Sequence, residues 1–174
     1  DSAISTSLPA PFDKFLLKNG EVRTTWADAD FVATGSRPFM VAQLQISQEY
    51  VDGSLTGDPS LTVFPPVAQY RDQYRILTPA DSGLWGWQTN YVVLASQPDN
   101  KITLDGAEPA GCVVTPAGSV DGKDYESRRC HVSEGVHVLK GTTPFGVVAY
   151  GYGPAGSYAF PGGADVEPIY VPPQ

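Results

Sequence analysis

The stretch GCVVTPAGSVDGKDYESRRCHVSEGVHVLKGTTPFGVVAYGYGPAGSYAFPGG, residues 111–163, decides the fold class. Its apolar runs are short and each is broken by Gly, Pro, Asp or Ser, so a helix cannot propagate and the chain must turn between extended segments. Residues 112–115 and 125–132 are expected to pair across the loop PAGSVDGKD, GVHVLKG (135–141) to add a strand, and FGVVAYGY (145–152) to run through the centre of a sheet. That last run is apolar at consecutive positions, the pattern of a strand buried on both faces.

The same grammar continues upstream. NYVVLAS and KITLDG, separated by QPDN, read as a hairpin, and LDGA reads as a turn leading to the cysteine region. Pro65 and Pro66 must interrupt sheet pairing, because proline donates no ladder hydrogen bond. RPFMVAQLQIS is the clearest amphipathic strand, with Met40, Ala42, Leu44 and Ile46 on one face and Gln43 and Gln45 on the other. EVRTTW (21–26) and DFVAT (30–34) read as shorter strands. Strands recurring roughly every 8 to 12 residues predict an all-β fold, a jelly-roll-like β-sandwich that is mostly antiparallel. Residues 21–174 are expected to form this single domain. Residues 1–20, with Ser and Thr, two prolines and the apolar Phe12, Phe15, Leu16 and Leu17, read as an extended arm suited to docking along the sheet edge of a neighbouring copy.

Composition sets outer bounds. A chain of 174 residues, 41% hydrophobic, can bury a core, and 18 glycines with 16 prolines suit many turns. A net charge of −8 with scattered basic residues argues against nucleic acid, and no apolar stretch reaches the roughly 20 residues of a membrane-spanning helix. The chain opens on Asp1 without a basic and apolar leader, and is read as a processed piece. Its two cysteines, Cys112 and Cys130, fit one disulfide better than a metal site, since no second pair supplies soft ligands; zinc held by Cys130 and His131 is the lesser alternative.

Catalytic signals are weak. Ser133, His137 and Asp165 spell a triad on paper, but no GxSxG turn holds the serine. Asp28 with Asp30, Asp52 with Asp58, and Asp121 with Asp124 offer oxygen ligands to calcium, yet none lies in an EF-hand loop and solvated turns are the default. No catalytic residue, metal or cofactor is therefore expected. Trp85 and Trp87 share a side if their segment is extended, forming either a platform for sugar or protein or a core contribution, with burial preferred. Tyr150, Tyr152, Tyr158 and Phe160 carry the same ambiguity.

The segments DPSLTVFPPVAQYRDQYRILTP, YVVLAS with ITLDG, and CHVSEGVHVLKGTTPFGVVAYGYGPAGSYAFPGGAD resemble, in order and spacing, the IgG Fc-binding protein N-terminal-type domain. ADFVATGSRPFMVAQL resembles the strand pair that precedes them there, so the resemblance runs from about Asp28 to Asp165 and marks the chain as that domain's C-terminal portion. It implies an extracellular, β-rich module of bacterial secreted and surface proteins, associated with adhesion, and brings no catalytic residues. The resulting expectation is a non-enzymatic surface or matrix protein that binds other protein chains, copies of itself among them. The alternative is a carbohydrate-binding module that takes glycan on exposed aromatics.

Overall fold

The computed structural model describes residues 1–50, 56–80, 83 and 86–166. Near the N-terminus, β1 (Ser2–Thr6), β2 (Lys14–Leu17) and β3 (Ala33–Gly35) form a three-stranded antiparallel sheet with β1 in the middle. Ile4 of β1 is buried, lying opposite Phe15 on one side and Gly35 on the other. Residues 1–20 thus pair with each other and with residues 33–35, where an extended arm was expected. EVRTTW forms no strand, and β3 takes only the end of DFVAT.

Next come β4 (Ala42–Leu44) and β5 (Leu61–Val63), a two-stranded antiparallel ribbon. A single 3-10 turn, Val67–Gln69, follows the proline pair. The remaining strands are β6 (Arg71–Thr78), β7 (Thr89–Ser96), β8 (Ile102–Leu104), β9 (Val113–Val120), β10 (Lys123–Val132), β11 (Gly135–Gly153) and β12 (Gly156–Pro161), which make one seven-stranded antiparallel sheet. The protein is all-β.

The 19-residue β11 organises the sandwich. Its first part pairs with β6 and β8, and its second part lies between β12 and β7, whose far side pairs with β10 and then β9. Between the two parts the register breaks at Lys140 and Phe145, and the sheet folds over itself. Gly141 is required at this bend, because a Cβ there would come within 2.8 Å of both the Phe145 ring and the Thr143 carbonyl oxygen. Asn100 fixes the bend from the β8 side: its Oδ1 accepts from the Thr142 hydroxyl and the Thr143 N–H, and its Nδ2 donates to the Thr143 carbonyl. GVHVLKG and FGVVAYGY are therefore one bent strand. QPDN leads into this clamp and closes no hairpin, since β8 pairs with β11 and not with β7.

The layers enclose Tyr74 and Ile76 of β6, Ile102 of β8, Leu139 and Phe145 of β11, and Val92, Leu94, Cys130, Val147 and Ala149 of the larger layer. Burial of each large aliphatic or aromatic side chain contributes about 1.5–3 kcal/mol. In β7 the alternation is strict, with Asn90, Val92, Leu94 and Ser96 buried and the residues between them half-buried. β11 is buried without a break from Phe145 to Ala149, as expected of a strand covered on both faces. Cys112 and Cys130 are joined by a disulfide that links the segment before β9 to the core face of β10.

Candidate interaction surface

The β4–β5 ribbon turns its apolar side outward. Register sets Leu44 opposite Leu61 and Ala42 opposite Val63, so the four side chains share one face. Leu44 is 64% exposed and Leu61 61%, while Thr62, on the reverse side, is buried. Hydrogen bonds from Gln45 N–H to the Ser60 carbonyl and from Phe64 N–H to the Val41 carbonyl extend the pairing beyond the strands. The period-2 pattern continues to Met40, 72% exposed, and Ile46. The side of RPFMVAQLQIS that alternation marks for burial is thus the side in solvent. Nearby in sequence, the exposed Tyr50 contacts the exposed Trp26 with ring centroids 6.1 Å apart.

The aromatics singled out from the sequence occupy two faces of the large layer. Tyr158 lies opposite Gly151 and Phe160 opposite Ala149, which puts them on the face away from Tyr150 and Tyr152. Tyr158 stacks with Phe160 at 5.8 Å, meets Trp87 edge-on at 5.1 Å, and donates its hydroxyl to Asn90 Oδ1 at 2.6 Å. Burial pushes the Tyr158 hydroxyl up to about 12. On the other face Tyr150 stacks on Tyr91 at 5.1 Å, Tyr152 meets Tyr150 edge-on, and His131 meets Tyr91 edge-on. Burial raises the Tyr150 hydroxyl well above its ordinary value, against a lowering by Arg129. Trp87, Tyr150, Tyr152, Tyr158 and Phe160 are all half-buried. Trp85 lies outside the described residues. A cleft of about 140 Å³ beside Trp87, lined by Gln88, His131 and Glu134 among others, is well below the roughly 300–1,000 Å³ of ordinary ligand pockets.

The polar candidates serve the fold. His137 is buried, with Nδ1 2.7 Å from Asp105 Oδ2 and Nε2 2.9 Å from the Ser133 carbonyl oxygen. Its carboxylate partner is thus Asp105, and Ser133 presents its backbone to the ring. Asp165 sits elsewhere, its N–H bonded to the Gln69 carbonyl. The Asp105 side chain also accepts from Val138 N–H, and the His137 contact, ahead of that bond, lowers its carboxyl. Asp105 and Gly106 both have positive φ, the signature of an Asp-Gly turn, but nothing in the sequence pairs that turn with His137.

Asp30, weighed as a calcium ligand, instead ties the N-terminal region to the large layer. It accepts from the hydroxyls of Thr115 and Ser127, and its Oδ1 lies 3.3 Å from Arg129 Nη2. Ser7 adds a second tie, donating its hydroxyl to the Ala117 carbonyl while accepting from Val32 N–H. Asp121 occupies the positive-φ turn between β9 and β10, Asp124 accepts from Ser119, and the Asp58 carbonyl accepts from Ser157. Asp52 lies outside the described residues. Among those residues no group of three or more His, Cys, Asp or Glu side chains converges on a metal position. No helix among them is long and apolar enough to cross a membrane. Of the N-terminal apolar residues, Phe12 and Phe15 meet edge-on, Leu16 is exposed and Leu17 half-buried.

A family model described as IgGFc binding protein matches residues 4–151, most of the chain. The match begins inside β1, so it takes in the N-terminal hairpin that a resemblance starting near Asp28 leaves out. It ends inside β11. No curated protein and no solved structure matches the chain.

Proposed function

The chain belongs to the IgGFc binding protein family, and from that premise we propose that it is an extracellular, non-enzymatic protein-contact module of a bacterial surface or matrix, acting in adhesion or self-assembly. One observation carries the reading: Leu44 and Leu61 face each other across the ribbon and point into solvent, with Met40 and Ile46 prolonging the patch. Apolar surface left open in a chain that buries comparable side chains elsewhere is stabilised when a partner covers it, by about 25 cal/mol per Å². The disulfide suits an oxidising compartment. The occupied ring nitrogens of His137 support a structural rather than a catalytic role.

A glycan-binding reading has one specific support, the exposed Trp26 and Tyr50 pair, which the sequence reading did not single out. The half-buried state of Trp87, Tyr150, Tyr152, Tyr158 and Phe160 favours protein over sugar, because stacking on a sugar ring needs an open aromatic face.

Beads coated with the protein, passed over surfaces bearing immunoglobulin Fc fragments, fibronectin, the protein itself or a mixed polysaccharide, test the two readings. Retention on the Fc or fibronectin surface, lost in the Leu44→Glu, Leu61→Glu double variant, is the expected result. Retention on polysaccharide alone, lost on Trp26→Ala, would replace it with the glycan reading.

A further inference from the structure

The large layer ends in two different edges. β12 is flanked by β5, and the Thr56 to Pro154 bridge closes the neighbouring turn. β9 has no strand on its outer side among the described residues. Its hairpin with β10 closes through Asp121 and Gly122, and its register sets Val113 opposite Arg129, Val114 opposite Arg128 and Thr115 opposite Ser127. The Cα atoms of Cys112 and Cys130 are 4.3 Å apart, the spacing of a pair that exchanges no ladder hydrogen bonds. Alternation then assigns Val113 and Thr115 to hydrogen bonds with β10, and turns the backbone groups of Cys112, Val114 and Pro116 toward the open side.

This open window is bounded. Beyond Pro116 the Ala117 carbonyl is taken by the Ser7 hydroxyl, and Val32 packs so close to Gly118 that a Cβ there would meet it at 2.8 Å. Before Cys112 the positive φ of Gly111 turns the chain off the strand line. Residues 109–120 carry no charge in a chain whose net charge is −8, so this edge meets a copy of itself without like-charge repulsion. Val113 and Val114 are both more than half exposed.

We propose that β9 pairs antiparallel with β9 of a second copy about a two-fold axis at Val114. In that register Val114 N–H and C=O bond reciprocally to Val114 of the partner subunit, and Cys112 N–H of each chain donates to the Pro116 carbonyl of the other. Pro116 is an outward residue without an N–H, so it leaves the Cys112 carbonyl unpaired and holds the association to a reversible strength. This inference rests on the protein-contact reading and names one partner for it, on a surface separate from the ribbon.

Sedimentation equilibrium of the intact chain tests it, with hydrogen exchange at Val114. A concentration-dependent monomer–dimer equilibrium is expected, with Val114 N–H protected only in the dimer. Val114→Lys, which places like charges on the axis at an exposed position, should give a monomer with an unchanged circular dichroism spectrum. Pro116→Val restores an outward donor on each chain and should tighten the dimer about tenfold or more. Leu44→Glu with Leu61→Glu should leave dimerisation intact, which separates failure of the ribbon reading from failure of this one. A monomer at every concentration, or a dimer indifferent to Val114→Lys, overturns the proposal. If Val114→Lys does not fold, an unchanged dimer constant in Pro116→Val does the same.

Discussion

Asp105 and His137 stand 2.7 Å apart, carboxylate to Nδ1, although one lies in a tight turn and the other on a strand 32 positions later. The contact holds the Asp105 carboxyl below its ordinary value. A group whose folded pKa is depressed contributes stability above its unfolded pKa and loses it as pH falls through the folded one. Stability from this pair should therefore be complete above about pH 4 and decline below it. Asp105→Asn tolerates the positive φ and removes the charge. Because the Asp105 side chain is 48% exposed, the expected cost at pH 7 is only about 1 kcal/mol or less. Urea unfolding at pH 7 and pH 3 should show the variant's deficit shrinking at the lower pH; a constant deficit would contradict the linkage.

Gly151 has no room for a side chain. A Cβ there would lie 2.4 Å from Tyr158 Cε1 and 2.6 Å from the Thr89 carbonyl oxygen, and the backbone partner cannot rotate away. Gly151→Ala should destabilise by about 1–3 kcal/mol. The denaturation midpoint measures this. A midpoint equal to that of the parent would show that β11 and β7 are further apart at this point.

Asp30 is the main polar tie between the N-terminal region and the β9–β10 hairpin. Asp30→Ala leaves two hydroxyls and the Arg129 guanidinium without their acceptor, at an expected cost of about 1–3 kcal/mol. The loss should be local first. Limited proteolysis is expected to cut within residues 18–31 faster than in the parent while the large sheet stays intact; an unchanged digestion pattern would mean that Ser7 and Val32 hold the region alone.

Removing the Cys112 to Cys130 bridge, with its sequence separation of 18, releases a loop of the size for which chain entropy predicts about 3 kcal/mol. Cys112→Ala with Cys130→Ala should lower unfolding stability by about that amount. The denaturant slope should rise, since the oxidised unfolded state of the parent is more compact and exposes less surface than the open chain. Thiol labelling of the unreduced, denatured parent should find no free cysteine.

Local chemistry was legible in residue types. The Asp-Gly turn at Asp105, the break at Pro65 and Pro66, the single bridge implied by two cysteines and the doubly buried run from Phe145 each follow from what one segment can or cannot do. The expected loop PAGSVDGKD, by contrast, shrinks to a turn at Asp121 and Gly122, because pairing carries β9 on to Val120 and starts β10 at Lys123. The candidate surface was half legible. Alternation correctly put Met40, Ala42, Leu44 and Ile46 on one side, but an alternation has no sign for inside and outside until another layer is set against it.

The sequence by itself determined that this chain is all-β, where it turns, and which side chains share a face, because φ and ψ preferences and the two-residue period of a strand are local properties. Only the tertiary structure decided which strand lies beside which. Turn residues fix where a strand ends but not its partner, so β7 came to lie between β10 and β11, and KITLDG crossed to the far half of β11. The same long-range choice divided Tyr150 and Tyr152 from Tyr158 and Phe160, gave Asp105 to His137, and left the apolar side of β4 and β5 in water. Each depends on register across strands distant in the chain, and no window of neighbouring residues contains that information.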